Sequence, residues 1–243
     1  MSYHWNWLVF FDPSPTGGGT YLDMLLSGLL LTIVTSLSAW VIALACGSIV
    51  GVLRTLPSKT TQWIGFCYVE LFRNMPLLLQ LFLWFFVLPE LLPRQAGLWL
   101  KQLPNAPFYT AAIGIGLFMS ARVAEQLRAG IGSLPRGQKQ AATALGLTTA
   151  QAYAYVLLPM AFRIILPPLT SEFLSTIKNT SVAITIGLVE LTGQARSMQE
   201  FSFQVFEAFT AATLLYLLLN LVVVTGMRLL ERAVAIPGYI AGR

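Results

Sequence analysis

Four ionisable side chains stand inside long apolar runs: Glu70, Arg73, Glu172 and Lys178. A charge at bilayer depth costs roughly 2.5–3.5 kcal/mol on insertion scales, so it faces protein or a water-filled cavity. Glu70 and Arg73 are three residues apart on one helical face, and the spacing predicts an intramembrane ion pair. Lys178, Ser181 and Thr185 share a second face at spacings of three and four, with Glu172, Ser175, Thr176 and Asn179 on the face beside it. A polar stripe this wide either packs on another polar helix or lines a path, and the path is the favoured reading. Its candidate residues are Glu172, Thr176, Lys178, Asn179, Thr180 and Ser181. There Lys178 supplies a cation for a carboxylate, and its neighbours supply hydrogen bonds.

The chemistry expected is therefore recognition rather than bond making. No Ser-His-Asp, Cys-His or paired-carboxylate arrangement is evident, and His4 is the single histidine. Cys46 and Cys67 lie in apolar segments and suit neither a disulfide framework nor a metal site. A phosphate-binding loop needs G-x4-G-K-[ST] after a strand. The nearest approach is "GSLPRGQKQ", with Gly132 and Gly137, but Gln138 precedes Lys139 and no Ser or Thr follows. No metal, no catalytic residue and no nucleotide site is expected in this chain.

The elements that must hold these residues are membrane helices. Apolar residues make up 56% of the 243 positions and charged ones 10%, too few charges to cover a soluble surface. Mean hydropathy is +0.70. Five runs reach the roughly 20 residues a bilayer requires: Met24–Leu53, Trp63–Pro89, Gln102–Ala121, Ile164–Val189 and Ala208–Met227. Pro76 is expected to kink the second. Pro167-Pro168 is expected to break the chain before the fourth and make a hinge. Gly47-Ser-Ile-Val-Gly51 has small-xxx-small spacing, for which packing within the chain is preferred over a dimer seam. The residues before the first run carry no Lys or Arg, so a cleavable leader is not expected. Arg54, Lys59, Arg122, Arg128, Arg136, Lys139 and Arg163 fall in inter-span regions of one side, and Arg228, Arg232 and Arg243 in the tail. The opposite side carries Arg94, Lys101 and Arg196, the last among Glu190, Glu200 and Glu207. That imbalance predicts an external N-terminus and a cytoplasmic C-terminus. A single transmembrane domain over 1–243 is expected, with its largest cytoplasmic loop at about 132–162.

That loop contains "KQAATALGLTTAQAYAYVLLP", which reads as helix, glycine turn and second helix. Gly146 suits a left-handed helix end. Thr148 and Gln151 are spaced as a capping box, and Pro159 is expected to stop the second helix. A DNA reader presents basic side chains to phosphates, yet no Lys or Arg stands between Gln140 and Pro159. Nucleic acid is not an expected partner. A structural bend stays possible, but a protein-docking surface fits best.

The spacing Gln140-Ala141-Ala142, three residues, Gly146, nine residues, Val156, one residue, Leu158-Pro159 resembles the coupling-helix motif of ABC importer permeases. Gln140 replaces the usual Glu, and Val156 the usual Ile. "VELFRNMPLLLQLF", "STIKNTSVAITIGLVEL", "SLPRGQK" and "VLLPMAFRIILPP" are similar to polar amino-acid permeases, those of glutamate/aspartate importers above all. The resemblance implies an all-α, type I (MetI-like) fold in the bacterial inner membrane. It implies amino-acid import by alternating access, with Gln140, Ala141, Ala142, Gly146, Leu147, Thr148, Leu158 and Pro159 facing an ATPase. It implies a second, often different permease subunit, two ATPase subunits that bind ATP and Mg, and a periplasmic amino-acid-binding protein. The competing class is a non-transporting scaffold or sensor docking a cytoplasmic protein through the same loop.

Overall fold

A computed structural model describes residues 3–15 and 19–234. Arg243, counted above with the tail, lies outside the described residues. Among the described residues the chain is helical, with connecting turns and an isolated bridge between Pro13 and Thr20.

Eleven α-helices are numbered in chain order among the described residues. α1 is Tyr21–Leu53, α2 Lys59–Asn74, α3 Leu77–Phe82, α4 Leu88–Leu91, α5 Arg94–Gln102 and α6 Ala106–Ser133. α7 is Arg136–Ala144, α8 Thr149–Ala152, α9 Leu158–Asn179, α10 Leu191–Ser202 and α11 Val205–Val234. Four stretches are long and apolar enough to cross a membrane: Tyr21–Leu53, Ala106–Ser133, Thr149–Ile186 and Val205–Val234. The bent pair Lys59–Asn74 and Leu77–Leu91 passes the same test when its two halves are taken together.

Prolines separate expectation from outcome. Pro76 does interrupt the second span: Met75 is extended, with φ −98 and ψ 128, and α3 begins after the proline. Pro159 does not stop its helix, and Pro167 and Pro168 do not break theirs, because all three lie inside α9. Where water is scarce, freed backbone groups are satisfied by staying helical beside neighbours. Ahead of Pro159 the helix widens to a π segment, Tyr153–Leu157, and ahead of Pro89 to another, Leu83–Val87. A proline ring clashes with the carbonyl four residues back. Tyr155 and Phe85 hold those positions, each inside the widened turn. The fourth span also ends differently from expectation. After Asn179 it tightens to a 3₁₀ helix, Thr180–Ile186, and closes at Gly187 with φ 89.

The chain forms two compact units. The first gathers the residues up to Trp40, Pro76–Gly116 and Ser175–Val222. Its core joins Met24 and Leu25 of α1 to Leu191, Ala195 and Met198 of α10 and to Ala208 and Ala212 of α11. Glu190 caps α10 from a fully buried position. Its carboxylate accepts from Thr192 N (3.1 Å), Gly193 N (3.2 Å), the Thr32 hydroxyl (3.2 Å) and the Tyr216 hydroxyl (2.6 Å). Glu207, also buried, accepts from Asn6 N at 2.8 Å and from the Tyr3 hydroxyl.

The second unit comprises Val41–Met75, Leu117–Leu174 and the residues from Val223. Here the Gly47-x3-Gly51 spacing packs within the chain. A Cβ on Gly47 would lie 2.6 Å from Val123 Cβ and 2.7 Å from Ser120 O, and one on Gly51 3.0 Å from Ala124 O. Gly47→Leu is therefore expected to cost about 1–3 kcal/mol by overpacking. Thermal unfolding in detergent reads this, and an unchanged midpoint would exclude the close α1–α6 contact.

Candidate functional site

The docking turn is built from local rules. α7 ends on two bonds, Gly146 N to Thr143 O (3.0 Å) and Leu147 N to Ala142 O (3.1 Å), with Gly146 at φ +78. This is the Schellman arrangement, which needs a left-handed residue after the cap. Thr148 then caps α8: its hydroxyl accepts from Gln151 N (3.3 Å), while Gln151 Oε1 accepts from Thr148 N (2.9 Å). The turn is thus rigid without help from a partner. Ala142, Ala152, Tyr153 and Leu157 face inward. Gln140, Ala141, Gly146, Thr148 and Pro159 are exposed, while Leu147 and Leu158 are half-buried.

Two residues beyond those expected shape this turn. Leu145 sits at its tip and is 81% exposed. Tyr153 anchors its base, donating its hydroxyl to Thr55 O at 2.7 Å just past α1. Leu134, Tyr153 and Leu157 form a small core with Val52, Leu56 and Ile131 around them. Leu145 is discernible in the sequence as a large apolar residue beside the turn glycine. The Tyr153 contact joins residues 98 apart and leaves no local signal. Gly132 and Gly137 of the phosphate-loop near-match lie in α6 and α7, both helical rather than strand and loop.

A polar cavity of about 420 Å³ opens in the second unit, lined by Arg73, Arg122, Glu125, Gln126, Ala129 and Glu172. It brings together Glu172 and Arg73, which the sequence pattern places in different roles. Glu70 and Arg73 do not form the expected ion pair among the described residues. Glu70 instead accepts from Asn74 Nδ2 at 2.7 Å, one turn on, while Arg73 lines the cavity. Arg122 approaches Glu172 at 3.8 Å. Glu125 pairs with Arg54 and, at 3.0 Å, with Arg128. Apolarity alone ends the third span at Ala121, which hides the charges that α6 brings here. The helix continues to Ser133, and positions 122, 125, 126 and 129 fall on one face.

Thr176, Lys178, Asn179, Thr180 and Ser181 belong to the first unit. Thr176 and Thr180 are fully buried, Asn179 and Ser181 half-buried, and Lys178 exposed. The hydroxyls of Thr180, Ser181 and Thr185 donate to Ile177 O, Lys178 O and Val182 O at 2.8, 2.7 and 2.8 Å. Ser181 and Thr185 keep lone pairs for accepting and Lys178 brings a cationic donor to this surface, whereas Thr180 is buried against the Tyr216 hydroxyl.

The comparisons with known proteins agree with this architecture. The family described as binding-protein-dependent transport system inner membrane component matches residues 43–236. The glutamate/aspartate import permease protein GltJ of Escherichia coli (strain K12) is 49% identical, with 100% of each chain covered. The probable glutamine ABC transporter permease protein GlnM of Bacillus subtilis (strain 168) is 34% identical over 86% of this chain and 93% of its own. A crystal structure of an amino acid ABC transporter with histidines superposes with a TM-score of 0.74 at 31% identity, covering 88% of this chain and 95% of that one. The inward-facing MetNI methionine ABC transporter shares the fold, with a TM-score of 0.75 at 18% identity over 88% of this chain and 98% of that one.

Proposed function

The chain belongs to the binding-protein-dependent inner-membrane transport components, and from that premise we propose that it is the glutamate/aspartate-importing permease subunit of a bacterial ABC importer. Permeases of this family work with a partner permease, an ATPase and a substrate-binding protein. For this chain we take the partner to be a different, homologous permease, with two ATPase subunits below and a periplasmic amino-acid-binding protein above. ATP with Mg, bound by the ATPase chains, supplies the driving free energy. The N-terminus lies outside and the C-terminus in the cytoplasm. The gathering of Arg54, Arg128, Arg136 and Lys139 around the docking turn supports that orientation.

One observation carries the reading: an exposed, self-braced helix–turn–helix stands at residues 136–158, following the apolar stretch Ala106–Ser133 and leading into Thr149–Ile186. Movement imposed at Gly146 enters α8 and continues through the π segment and α9, since Thr149–Ile186 runs as one helical stretch. That stretch ends in the residues proposed to meet substrate. There Lys178 binds a substrate carboxylate, and Asn179 and Ser181 orient it; Thr180, expected from its spacing to join them, is fully buried.

The complex purified through this chain should contain an ATPase with a phosphate loop and take up glutamate when reconstituted with its binding protein. Absence of any ATPase would favour a scaffold. In the same assay Lys178→Met with Asn179→Ala is expected to lower uptake at least about tenfold, the scale of a lost charged hydrogen bond. Unchanged uptake would remove these residues from the path.

A further inference from the structure

A second cavity of about 340 Å³ lies beside the docking turn, and Arg54, Arg128, Arg136 and Lys139 line it together with Gln62 and Tyr153. Its size falls in the usual range of small-ligand sites, about 300–1,000 Å³. No acidic side chain is among its lining residues. Glu125, paired with Arg54 and Arg128, offsets one of the four positive charges. Like charges held this close repel, and an anion between them removes the repulsion. Two further features favour a phosphate. α7 starts at Arg136 with no side-chain cap; Gln138 N bonds Pro135 O at 3.0 Å, and the amides of Arg136 and Gly137 remain for an anion. Tyr153, fixed by its bond to Thr55 O, gives the cavity a rigid wall.

The surroundings indicate where the phosphate comes from. Arg54 lies over the Phe66 ring at 5.9 Å. Trp63, Ile64 and Phe66 succeed Gln62 along α2 and are 68%, 57% and 46% exposed. Tryptophan favours the membrane–water interface, and basic pockets between membrane helices bind anionic headgroups. We propose that this cavity binds a phosphate group, presented by an anionic phospholipid whose acyl chains lie along Trp63 and Phe66. The proposal rests on the import reading only in placing the docking turn at a membrane face.

The test is native mass spectrometry of the delipidated whole complex, titrated separately with dioleoyl phosphatidylglycerol, dioleoyl phosphatidylcholine and inorganic phosphate. Phosphatidylglycerol should bind in preference to phosphatidylcholine. Arg136→Gln with Lys139→Gln should weaken it on the order of tenfold. Arg128→Gln alone, a milder change at an exposed residue, should weaken it by a smaller factor. Arg196→Gln, whose guanidinium binds Glu200 in the first unit, should leave it unchanged. Binding of inorganic phosphate as tight as that of the lipid would uphold the phosphate site and overturn the lipid as its source. Equal phosphatidylglycerol binding by parent and variants would overturn the site. ATPase retention is read on the same sample: lipid binding without ATPase overturns the import reading alone, and ATPase without lipid binding overturns this site alone.

Discussion

Replacing Leu145 with aspartate is expected to release the ATPase from the purified complex, lowering its retained amount at least about tenfold, while the permease stays folded. Leu145 is 81% exposed, so the permease loses little by the change. The cost falls on the complex, where a carboxylate would have to be desolvated at the proposed ATPase contact. Gly146→Ala separates docking from turn geometry. Nothing lies within 4 Å of a Cβ at Gly146, so the substitution meets only the strain of φ +78, about 1–2 kcal/mol. It should lower the unfolding midpoint slightly and keep most of the ATPase. Full ATPase retention by Leu145→Asp would move the docking surface elsewhere.

Glu125→Gln is expected to be the most destabilising of the polar changes. The Arg54 side chain is 11% exposed and that of Glu125 22%, so removing the carboxylate strands a largely buried guanidinium. The Arg54 stem packs against Gly65, where a Cβ would meet Arg54 Cγ at 2.6 Å, and the cavity its guanidinium lines is already occupied by the positive charges of Arg128, Arg136 and Lys139. Breaking a fully buried pair costs about 3–5 kcal/mol, and the partial exposure here brings the expectation to about 2–3 kcal/mol. The double variant Arg54→Gln with Glu125→Gln should recover over half of that loss, since the one guanidinium left without Glu125, that of Arg128, is 46% exposed and hydrated. Unfolding midpoints in detergent decide it. A single variant as stable as the parent would show that the pair is too hydrated to matter.

Spans and turn are legible in the sequence because their causes are local. A run such as Met24–Leu53 announces a membrane helix by itself, Gly146 closes back on Thr143, and Thr148 and Gln151 satisfy each other, all within a few residues. The polar interior is not legible, since Arg54 and Glu125 are 71 residues apart and Thr32 and Glu190 158 apart. Glu190 and Glu207 read as loop charges by position, whereas burial and multiple donors make each a structural anchor. Proline misleads where neighbours keep a helix intact around Pro159, Pro167 and Pro168, and reads rightly at Pro76, where the backbone turns extended.

The widened turn ahead of Pro159 has a consequence for how the chain tolerates change in length. A π segment is an α-helix carrying one surplus residue. Deleting one residue from Tyr153–Leu157 would restore ordinary winding and leave the docking loop near its present bearing on α9, because the wide turn absorbs the surplus residue locally. Deleting one residue from the regular part of α9 would instead turn the loop by about 100°, so that Tyr153 could no longer reach Thr55. The widened turn is the place where this stretch can lose a residue and keep its aim.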